Sequence, residues 1–331
     1  MQNFYIPLKN NAIHKASVTS NVEQYIDFVM LLKLRSMFSG LVKLKFERES
    51  MESYLFSGFL GFAMVNMLFA SGRRLVPFSQ YYNITWGKSH FTSLDSGTRV
   101  QLKLDNRSGS GFESKSHLLS GLFNMKVKIP ENKSQGVVTT FYLTSKEAHH
   151  DEIDFEFIGS NGPPFDLSTN VFTKGVGGRE QKFRLWFDPS TDFHSYTILW
   201  NQYQVVFFVD DIPIRVFKNL GNKTSYPTQG MKVEATIWAA EGWAGKVNWS
   251  KGPFKAQYQG FDLDACIVSN VSNPRICNYT GGDAWARIQD LNAEQVAQYQ
   301  IARRHYLHYD YCTDKTRYAQ PPPECQVQIK I

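Results

Sequence analysis

Cysteine is missing from the first 265 residues of this 331-residue chain, and all four cysteines lie in the tail. No two of them form a C-x-x-C pair, so their spacing gives little support to a zinc site. An even number of clustered cysteines is typical of disulfides formed in an oxidising compartment. Four cysteines allow three connectivities. Pairing neighbours, Cys266 with Cys277 and Cys312 with Cys325, closes the two shortest loops.

Charged residues are also scarce, since Asp, Glu, Lys and Arg together make up 20% of the chain. The chain has 36 basic and 30 acidic residues, so its net charge is only +6. No basic stripe interleaves with aromatic residues, which argues against a nucleic-acid partner. Aromatic residues are plentiful at 15%. Such side chains fill β-cores, and they also stack on sugar rings or bases. The low fraction of charged residues argues against disorder over most of the length.

One apolar run, Leu55–Phe69, has the length of a signal-peptide core and is short for a membrane span. We expect residues 51–72 to be a signal peptide that starts at Met51, and residues 1–50 to be a non-native extension. A signal anchor is the alternative. The mature chain would then be secreted, without stable membrane insertion. Seven sequons fit a secreted glycoprotein: Asn83, Asn106, Asn132, Asn222, Asn248, Asn270 and Asn278.

From about residue 82 to 262 the sequence alternates polar and apolar residues in short segments that are separated by turn signals. Typical segments are Arg99–Asp105, Val137–Thr144 and Gln204–Phe217. Many strands without βα alternation predict an all-β sandwich or jelly roll. One helix is predicted late in the chain, capped by Asn292 and lying between the two cysteine pairs.

The stretch HDEIDFEFIGS places three carboxylates, Glu152, Asp154 and Glu156, two residues apart. Side chains alternate along a strand, so these three share one face and the apolar residues between them share the other. Like charges on one face repel each other, which a purely structural strand would avoid. A solvated strand face is one alternative. A calcium site is another, although rigid strand geometry speaks against it.

Carboxylate pairs of this kind carry out glycoside hydrolysis, one as the nucleophile and the other as an acid with a raised pKa. A third carboxylate between them would hydrogen-bond the nucleophile and raise the pKa of the acid by like-charge repulsion. On a straight strand the Cα atoms of Glu152 and Glu156 are roughly 13 Å apart, so their side chains must lean together. The pattern therefore predicts glycoside hydrolysis or transfer.

The same strand resembles the signature H-D-E-I-D-F-E-F-L-G of the plant xyloglucan endotransglucosylase/hydrolases of glycoside hydrolase family 16, departing from it only at Ile158. The resemblance covers about residues 76–325. It implies a concanavalin-like β-jelly-roll sandwich at 73–262, with a concave cleft for a β-1,4-glucan backbone, and a C-terminal extension at 263–331. Further segments that read like this family are Leu104–Lys115, Thr169–Asn201, Val205–Asn219 and Tyr309–Cys325.

By this resemblance Glu152 is the nucleophile, Asp154 the supporting carboxylate and Glu156 the general acid/base. Polar side chains would bind sugar hydroxyls, and a tryptophan would stack on the apolar ring face. The alternatives are core packing for the tryptophan and surface salt bridges for the two arginines. The implied substrate-binding residues are Glu156, Ser168, Thr169, Asn170, Gly178, Arg179, Glu180, Gly242, Trp243, Gly245 and Arg317.

The chain departs from the family pattern at two places. The segment Trp238–Ser250 is several residues shorter than in most members, and Gly242 replaces an acidic residue before Trp243. Members that mainly hydrolyse tend to have a longer loop here, so the short loop favours transfer. Pro163 removes the sequon that usually follows the catalytic strand, so we expect no glycan there.

The resemblance implies a secreted cell-wall enzyme, a xyloglucan:xyloglucosyl transferase. It would cleave xyloglucan by a retaining mechanism and pass the glycosyl fragment to another xyloglucan chain. We expect donor and acceptor xyloglucan as partners, no metal or cofactor, and a monomer. The alternatives are a predominantly hydrolytic xyloglucan or mixed-linkage endoglucanase and, in a different class, an inactive glycan-binding sandwich. The intact carboxylate triad distinguishes an enzyme from the last of these.

Overall fold

The computed structural model describes residues 75–131, 133–146, 148–268, 277 and 283–326. The predictions for residues 1–72 therefore lie outside the described residues. In chain order the elements are α1 (Phe78–Tyr81), β1 (Tyr82–Trp86), β2 (Phe91–Leu94), β3 (Arg99–Leu104), β4 (Ser110–Ser114), β5 (His117–Lys128), β6 (Val137–Thr144), β7 (Glu152–Ile158), β8 (Asp166–Phe172), β9 (Gln181–Arg184), β10 (His194–Trp200), β11 (Gln204–Val209), β12 (Ile212–Lys218), β13 (Lys232–Ala239), β14 (Phe254–Gln259), β15 (Asp264–Val268), α2 (Ala293–Tyr306) and β16 (Leu307–Asp310).

The strands form two antiparallel sheets, which confirms the predicted all-β sandwich. The first, which we call the cleft sheet, has the order β1-β4-β13-β6-β7-β8-β9-β16. The second has the order β12-β11-β10-β5-β14-β3-β2, with β15 also paired to β5. Residues beyond 262 thus add one strand to each sheet. No helix among the described residues is long and apolar enough to cross a membrane.

Period-two alternation explains how each strand joins the core. In β3 the apolar side chains of Val100, Leu102 and Leu104 are buried, whereas the polar residues between them are partly exposed. The same rule buries Phe155 of β7, whose ring meets the ring of Phe207 on the second sheet at 5.1 Å between centroids. The core therefore fills the space between the sheets and fixes the outward faces of both.

Several local predictions are confirmed. Asn292 caps α2 in a reciprocal box with Gln295, and each cysteine is bonded to its neighbour, Cys266 to Cys277 and Cys312 to Cys325. The segment Gln204–Phe217 is interrupted, because Asp210 and Asp211 both take positive φ and turn the chain into a hairpin between β11 and β12. Short carboxylate side chains suit such left-handed turn positions.

A second, smaller apolar core lies on the outer face of the second sheet. There Leu199 of β10 and Val206 of β11 pack under Trp285, Leu291 and Val296 from the C-terminal part of the chain. This part therefore covers the β10–β11 half of the outer face. Helix α2 has only a weak amphipathic pattern in its sequence. Its contribution to this core is therefore made by single buried residues such as Val296.

Candidate active site

Strand β7 lies in the middle of the cleft sheet, between β6 and β8. Its odd-numbered residues Ile153, Phe155 and Phe157 are buried in the core, and Phe157 packs edge-on against Tyr196 at 4.6 Å. Because strand side chains alternate, the three carboxylates point away from the core. Aromatic packing on one face thus fixes the position of the charged side chains on the other.

The three carboxylates line one cavity of about 580 Å³ on the open face of the cleft sheet. Its walls come from β7, β8, the start of β9, the end of β13 and the C-terminal region. The lining residues are Glu152, Asp154, Glu156, Ile158, Ser168, Asn170, Phe172, Glu180, Lys182, Trp238, Trp243, Tyr309, Asp314 and Arg317. The sequence prediction that the three carboxylates share a face is confirmed.

Asp154 is the most deeply buried of the three, with 5% of its surface exposed. Burial, together with the charges of Glu156 and Glu152, raises the pKa of Asp154 well above its usual range. The buried guanidinium of Arg215 and the backbone N–H of Asn170 oppose this rise. This raised pKa favours the protonated form of Asp154, which can donate a hydrogen bond.

Glu152 also has a raised pKa, and burial is the main cause. The nearby His150 and hydrogen bonds from Thr144 and Asp154 act in the opposite direction. A protonated Asp154 that donates to Glu152 stabilises the ionised form of Glu152. The hydrogen bond from Asp154 thus limits the rise in the pKa of Glu152 that burial causes.

Burial raises the pKa of Glu156 to about 7, helped by the negative charges of Glu152 and Glu180 and opposed by Lys182. The sequence suggests that Asp154 supplies this like-charge repulsion. Glu152 and Glu180 raise the pKa of Glu156, and repulsion between Asp154 and Glu156 raises the pKa of Asp154. A carboxyl group with a pKa near 7 can both give and accept a proton near neutral pH.

Five of the predicted substrate-binding residues besides Glu156 line the cavity: Ser168, Asn170, Glu180, Trp243 and Arg317. Ser168 lies directly opposite Glu156 and Asn170 opposite Asp154 in the pairing of β7 with β8. The ring centroids of Trp243 and Trp238 are 6.1 Å apart. Trp243 is 51% exposed, so the alternative interpretation of this tryptophan as a core residue is excluded. Arg317 donates to the Glu180 carboxylate at the cleft edge.

Thr169 and Arg179 lie elsewhere. Thr169 is fully buried on the core face of β8, where Arg215 donates to its carbonyl oxygen at 2.6 Å and its hydroxyl at 3.0 Å. Arg179 forms a largely buried ion pair with Glu324 at 2.9 Å and donates to the carbonyl of Val171. The prediction that these two side chains contact substrate is not supported, because their polar atoms are engaged away from the cleft.

The three predicted glycines differ in their surroundings. Gly178 has φ +81°, and its carbonyl accepts hydrogen bonds from Arg317 and Tyr318. Gly245 has φ +95°, and a Cβ there would lie 2.7 Å from the side-chain nitrogen of Gln135. Gly242 has open space around it. None of the three lines the cavity, so their predicted contacts with substrate are not supported.

Comparisons with known proteins bear on this geometry. The model for "Glycosyl hydrolases family 16" matches residues 78–258, and the model for "Xyloglucan endo-transglycosylase (XET) C-terminus" matches residues 280–325. Xyloglucan endotransglucosylase/hydrolase protein 2 of Arabidopsis thaliana is 48% identical over 284 residues, which cover 80% of this chain and 97% of that protein. The chain belongs to glycosyl hydrolase family 16.

Other relatives agree with this assignment. Xyloglucan endotransglucosylase/hydrolase protein A of Phaseolus angularis is 45% identical over 83% of this chain and 98% of its own length. Among solved structures, the Bacillus licheniformis β-glucanase is 24% identical and covers 54% of this chain and 84% of its own, with a TM-score of 0.46. That likeness is too weak to add to the family assignment.

Sequence reasoning missed several residues that line the cleft of this family 16 chain. Lys182 follows Glu180 at the two-residue spacing of a strand, so alternation could have identified it. Trp238 lies beside Trp243 and could have been identified with it. Tyr309 and Asp314 reach the cleft only because β16 pairs with β9, and no local pattern indicates that.

A further row of side chains extends across the cleft sheet of this family 16 chain. Glu156 pairs with Thr140 on β6, the Thr140 and Thr236 hydroxyls are 2.7 Å apart, and Thr236 pairs with Gly111 on β4. A Cβ on Gly111 would lie 2.6 Å from the indole nitrogen of Trp86, which is 40% exposed. The open face therefore continues from Glu156 over small residues to a tryptophan at the sheet edge.

Proposed function

We propose that this chain cleaves the β-1,4-glucan backbone of xyloglucan with retention and transfers the glycosyl fragment to another xyloglucan chain. The observation that carries the proposal is the arrangement of Glu152, Asp154 and Glu156 on one open face, with a pKa of about 7 for Glu156. The names of the family relatives support xyloglucan as the substrate.

In the first step a Glu152 oxygen attacks the anomeric carbon while the bond to the leaving glycosidic oxygen breaks. Glu156 gives its proton to that leaving oxygen, which departs as the 4-hydroxyl of the released chain. Asp154 donates a hydrogen bond to Glu152 and so orients it. A covalent glycosyl ester on Glu152 remains.

Formation of that ester removes the charge of Glu152. Since this charge helps to raise the pKa of Glu156, the pKa of Glu156 falls in the intermediate. Glu156 is then a carboxylate that can accept a proton, as the second step requires. It deprotonates the 4-hydroxyl of the incoming chain, whose oxygen displaces Glu152 from the anomeric carbon.

A polymer needs more contacts than one cavity provides. The row from Glu156 through Thr140, Thr236 and Gly111 to Trp86 offers a flat path on one side of the reaction centre. On the other side Ser168, Lys182 and Tyr309 continue the open face across β8, β9 and β16. These residues reach from β1 to β16, the two edge strands of the cleft sheet, which suits cleavage within a chain.

Water competes with the acceptor for the intermediate, and an acceptor held in the cleft excludes it. The short Trp238–Ser250 segment favours transfer, and Trp243 next to the cavity provides a surface on which an acceptor ring can stack. A test uses xyloglucan with and without a labelled xyloglucan oligosaccharide. Label that enters polymer with few new reducing ends supports transfer. Reducing ends that rise equally without acceptor would identify a hydrolase.

Replacement of the nucleophile tests the assignment of roles. Glu152→Gln should lower transfer at least about a thousandfold, as loss of a catalytic nucleophile does. Glu131→Gln, at an exposed residue outside the cleft, is the matched control and should keep full activity. Substantial activity in Glu152→Gln, with the fold intact by circular dichroism, would overturn the role of Glu152.

Location and assembly extend the proposal. The chain is secreted to the plant cell wall after removal of residues 51–72 and acts there as a monomer. The named plant relatives support this location. Mass spectrometry of the secreted protein tests it, since cleavage predicts a first residue near Arg73. Light scattering at several concentrations tests the monomer.

A further inference from the structure

The outer face of the second sheet is divided into two halves of different character. The C-terminal part of the chain covers the β10–β11 half with apolar side chains. On the neighbouring half, formed by β3, β14 and the end of β5, the positions that alternate with buried apolar residues are polar. These outward residues are Arg99, Gln101, Lys103, Asn124, Lys126, Lys128, Lys255, Gln257 and Gln259.

We call the lysines of this half, together with Lys251, which lines the same cavity, the lysine face: Lys103, Lys126, Lys128, Lys251 and Lys255. Lys103 and Lys255 lie directly opposite each other in the pairing of β3 with β14. Like charges in such a cross-strand pair destabilise a sheet. The structure therefore retains a repulsion that a bound anion would relieve.

Carboxylates do little to neutralise this surface. The nearest ion pair joins Lys103 to Asp105 at 3.8 Å, and Lys128 donates to the backbone oxygen of Thr191 at 3.1 Å. Within the described part of the chain, no carboxylate forms an ion pair with Lys126, Lys251 or Lys255, which are all exposed. Their ammonium groups are free to meet an anion from outside.

A shallow cavity of about 380 Å³ opens on the lysine face. Lys128, Lys251 and Lys255 contribute three ammonium groups to its lining, against the single carboxylate of Glu131. Gln257, which lies opposite Lys128, adds an amide. Cations at several points with an amide between them form a surface for an extended anion with hydroxyl groups.

We propose that the lysine face binds a linear acidic polysaccharide that carries a carboxylate on successive sugars, that is, a polyuronate. Neighbouring strands are about 4.8 Å apart and alternate residues of a strand about 6.7 Å apart, so the ammonium groups form a grid that several carboxylates can contact at once. The amides of Gln101, Gln257 and Gln259 donate to sugar hydroxyls. None of the nine outward strand positions is aromatic, and Phe254, which lines the cavity, packs against the exposed Trp249.

The lysine face and the reaction centre lie on opposite sides of the sandwich, because the cleft sheet and the second sheet present their open faces in opposite directions. A polyuronate bound at the back leaves the cleft free. The site would hold the enzyme on an acidic polymer while it acts on a neutral one. This proposal does not depend on the transfer activity.

The test measures binding of the full chain to an oligogalacturonate by calorimetry at low and moderate salt. The variant Lys126→Gln/Lys128→Gln/Lys255→Gln should weaken binding roughly tenfold, since each exposed ion pair contributes modestly. It should also reduce the dependence of affinity on salt. Transfer of free xyloglucan should be unchanged. Replacing the same three lysines by Arg should retain binding.

A matched control removes three exposed cations from other surfaces: Lys174→Gln/Lys223→Gln/Arg304→Gln. It lowers the net charge equally and should change the affinity less than twofold. Equal weakening of oligogalacturonate binding in both triple variants would show that only the net charge matters. That result would overturn the proposal of a specific site. Binding of duplex DNA or anionic vesicles as tight as that of oligogalacturonate, with the same loss in the first variant, would overturn the polyuronate.

Discussion

Glu180 and Lys182 lie two residues apart along the edge of the cleft and act with opposite sign on the pKa of Glu156. The first raises this pKa and the second lowers it, within a balance that places it at about 7. In the proposed mechanism Glu156 must be protonated for the first chemical step, so we expect kcat/KM to fall as the pH rises through this pKa. The two neighbours should therefore shift, in opposite directions, an alkaline limit that burial and Glu152 chiefly raise.

The alkaline limb of the pH profile should move in opposite directions in two single variants. Glu180→Gln removes a negative charge and should shift the limb to lower pH, whereas Lys182→Gln removes a positive charge and should shift it to higher pH. The measurement is kcat/KM for xyloglucan between pH 4 and pH 9. Each variant controls for the other, because shifts in the same direction would assign the limb to a different group.

Glu156 should also lower the stability of the folded protein at neutral and alkaline pH. Its folded pKa of about 7 is above its ordinary value of 4.5, so the folded state gives up this proton less readily than the unfolded state. The stabilisation by the bound proton is complete below pH 4.5 and is lost as the pH rises through 7. At about 1.36 kcal/mol per pH unit, the loss amounts to up to about 3 kcal/mol.

Glu156→Gln, which cannot ionise, should therefore be inactive yet more stable than the unsubstituted protein at pH 8. The difference should disappear near pH 4. Denaturant unfolding at the two pH values measures it, with the exposed Glu131→Gln as the reference. A gain that does not depend on pH would contradict the proposed burial of the Glu156 charge.

Arg179 should stabilise the fold rather than bind substrate. Its ion pair with Glu324 leaves 13% and 6% of the two side chains exposed, and loss of one partner of a pair this buried costs roughly 3 kcal/mol. Arg179→Met and Glu324→Gln should lower the melting temperature alike, and the double variant should lose less than the sum. A rise in KM confined to Arg179→Met would restore the role in substrate binding that the resemblance implies.

Trp86 should matter only for long substrates. Three strand spacings, roughly 14 Å, separate β7 from β4, on which the Trp86 indole rests. Trp86→Ala should raise KM for polymeric xyloglucan roughly three- to tenfold by loss of ring stacking, with little effect on short oligosaccharides. Trp249, which is 37% exposed and lies outside the cleft cavity, provides the control Trp249→Ala. An equal loss for short and long substrates would place Trp86 outside the polymer path.

Period-two alternation accounts for most of what the sequence predicts correctly. It places Glu152, Asp154 and Glu156 together and buries the residues between them. The same rule, applied to β8, places Ser168 and Asn170 on one face and Thr169 on the other. Applied to the next segment, it places Lys182 on the same face as Glu180. These two errors were avoidable with the information in the sequence.

Other features depend on contacts between distant parts of the chain. Tyr309 and Asp314 enter the cleft through the pairing of β16 with β9, and the Trp86 indole reaches the cleft face only because Gly111 lacks a side chain. Arg179 has no local signal that distinguishes an ion pair with Glu324 from a sugar contact. The lysine face comes from three strands that are separate in sequence, so no basic run reveals it.

Arg317 and Asp314, which complete the cleft, lie close to the end of the chain and within the loop closed by Cys312 and Cys325. During synthesis, β7 leaves the ribosome long before these residues exist. A nascent chain therefore carries the reacting carboxylates without the wall against which a polymer can rest.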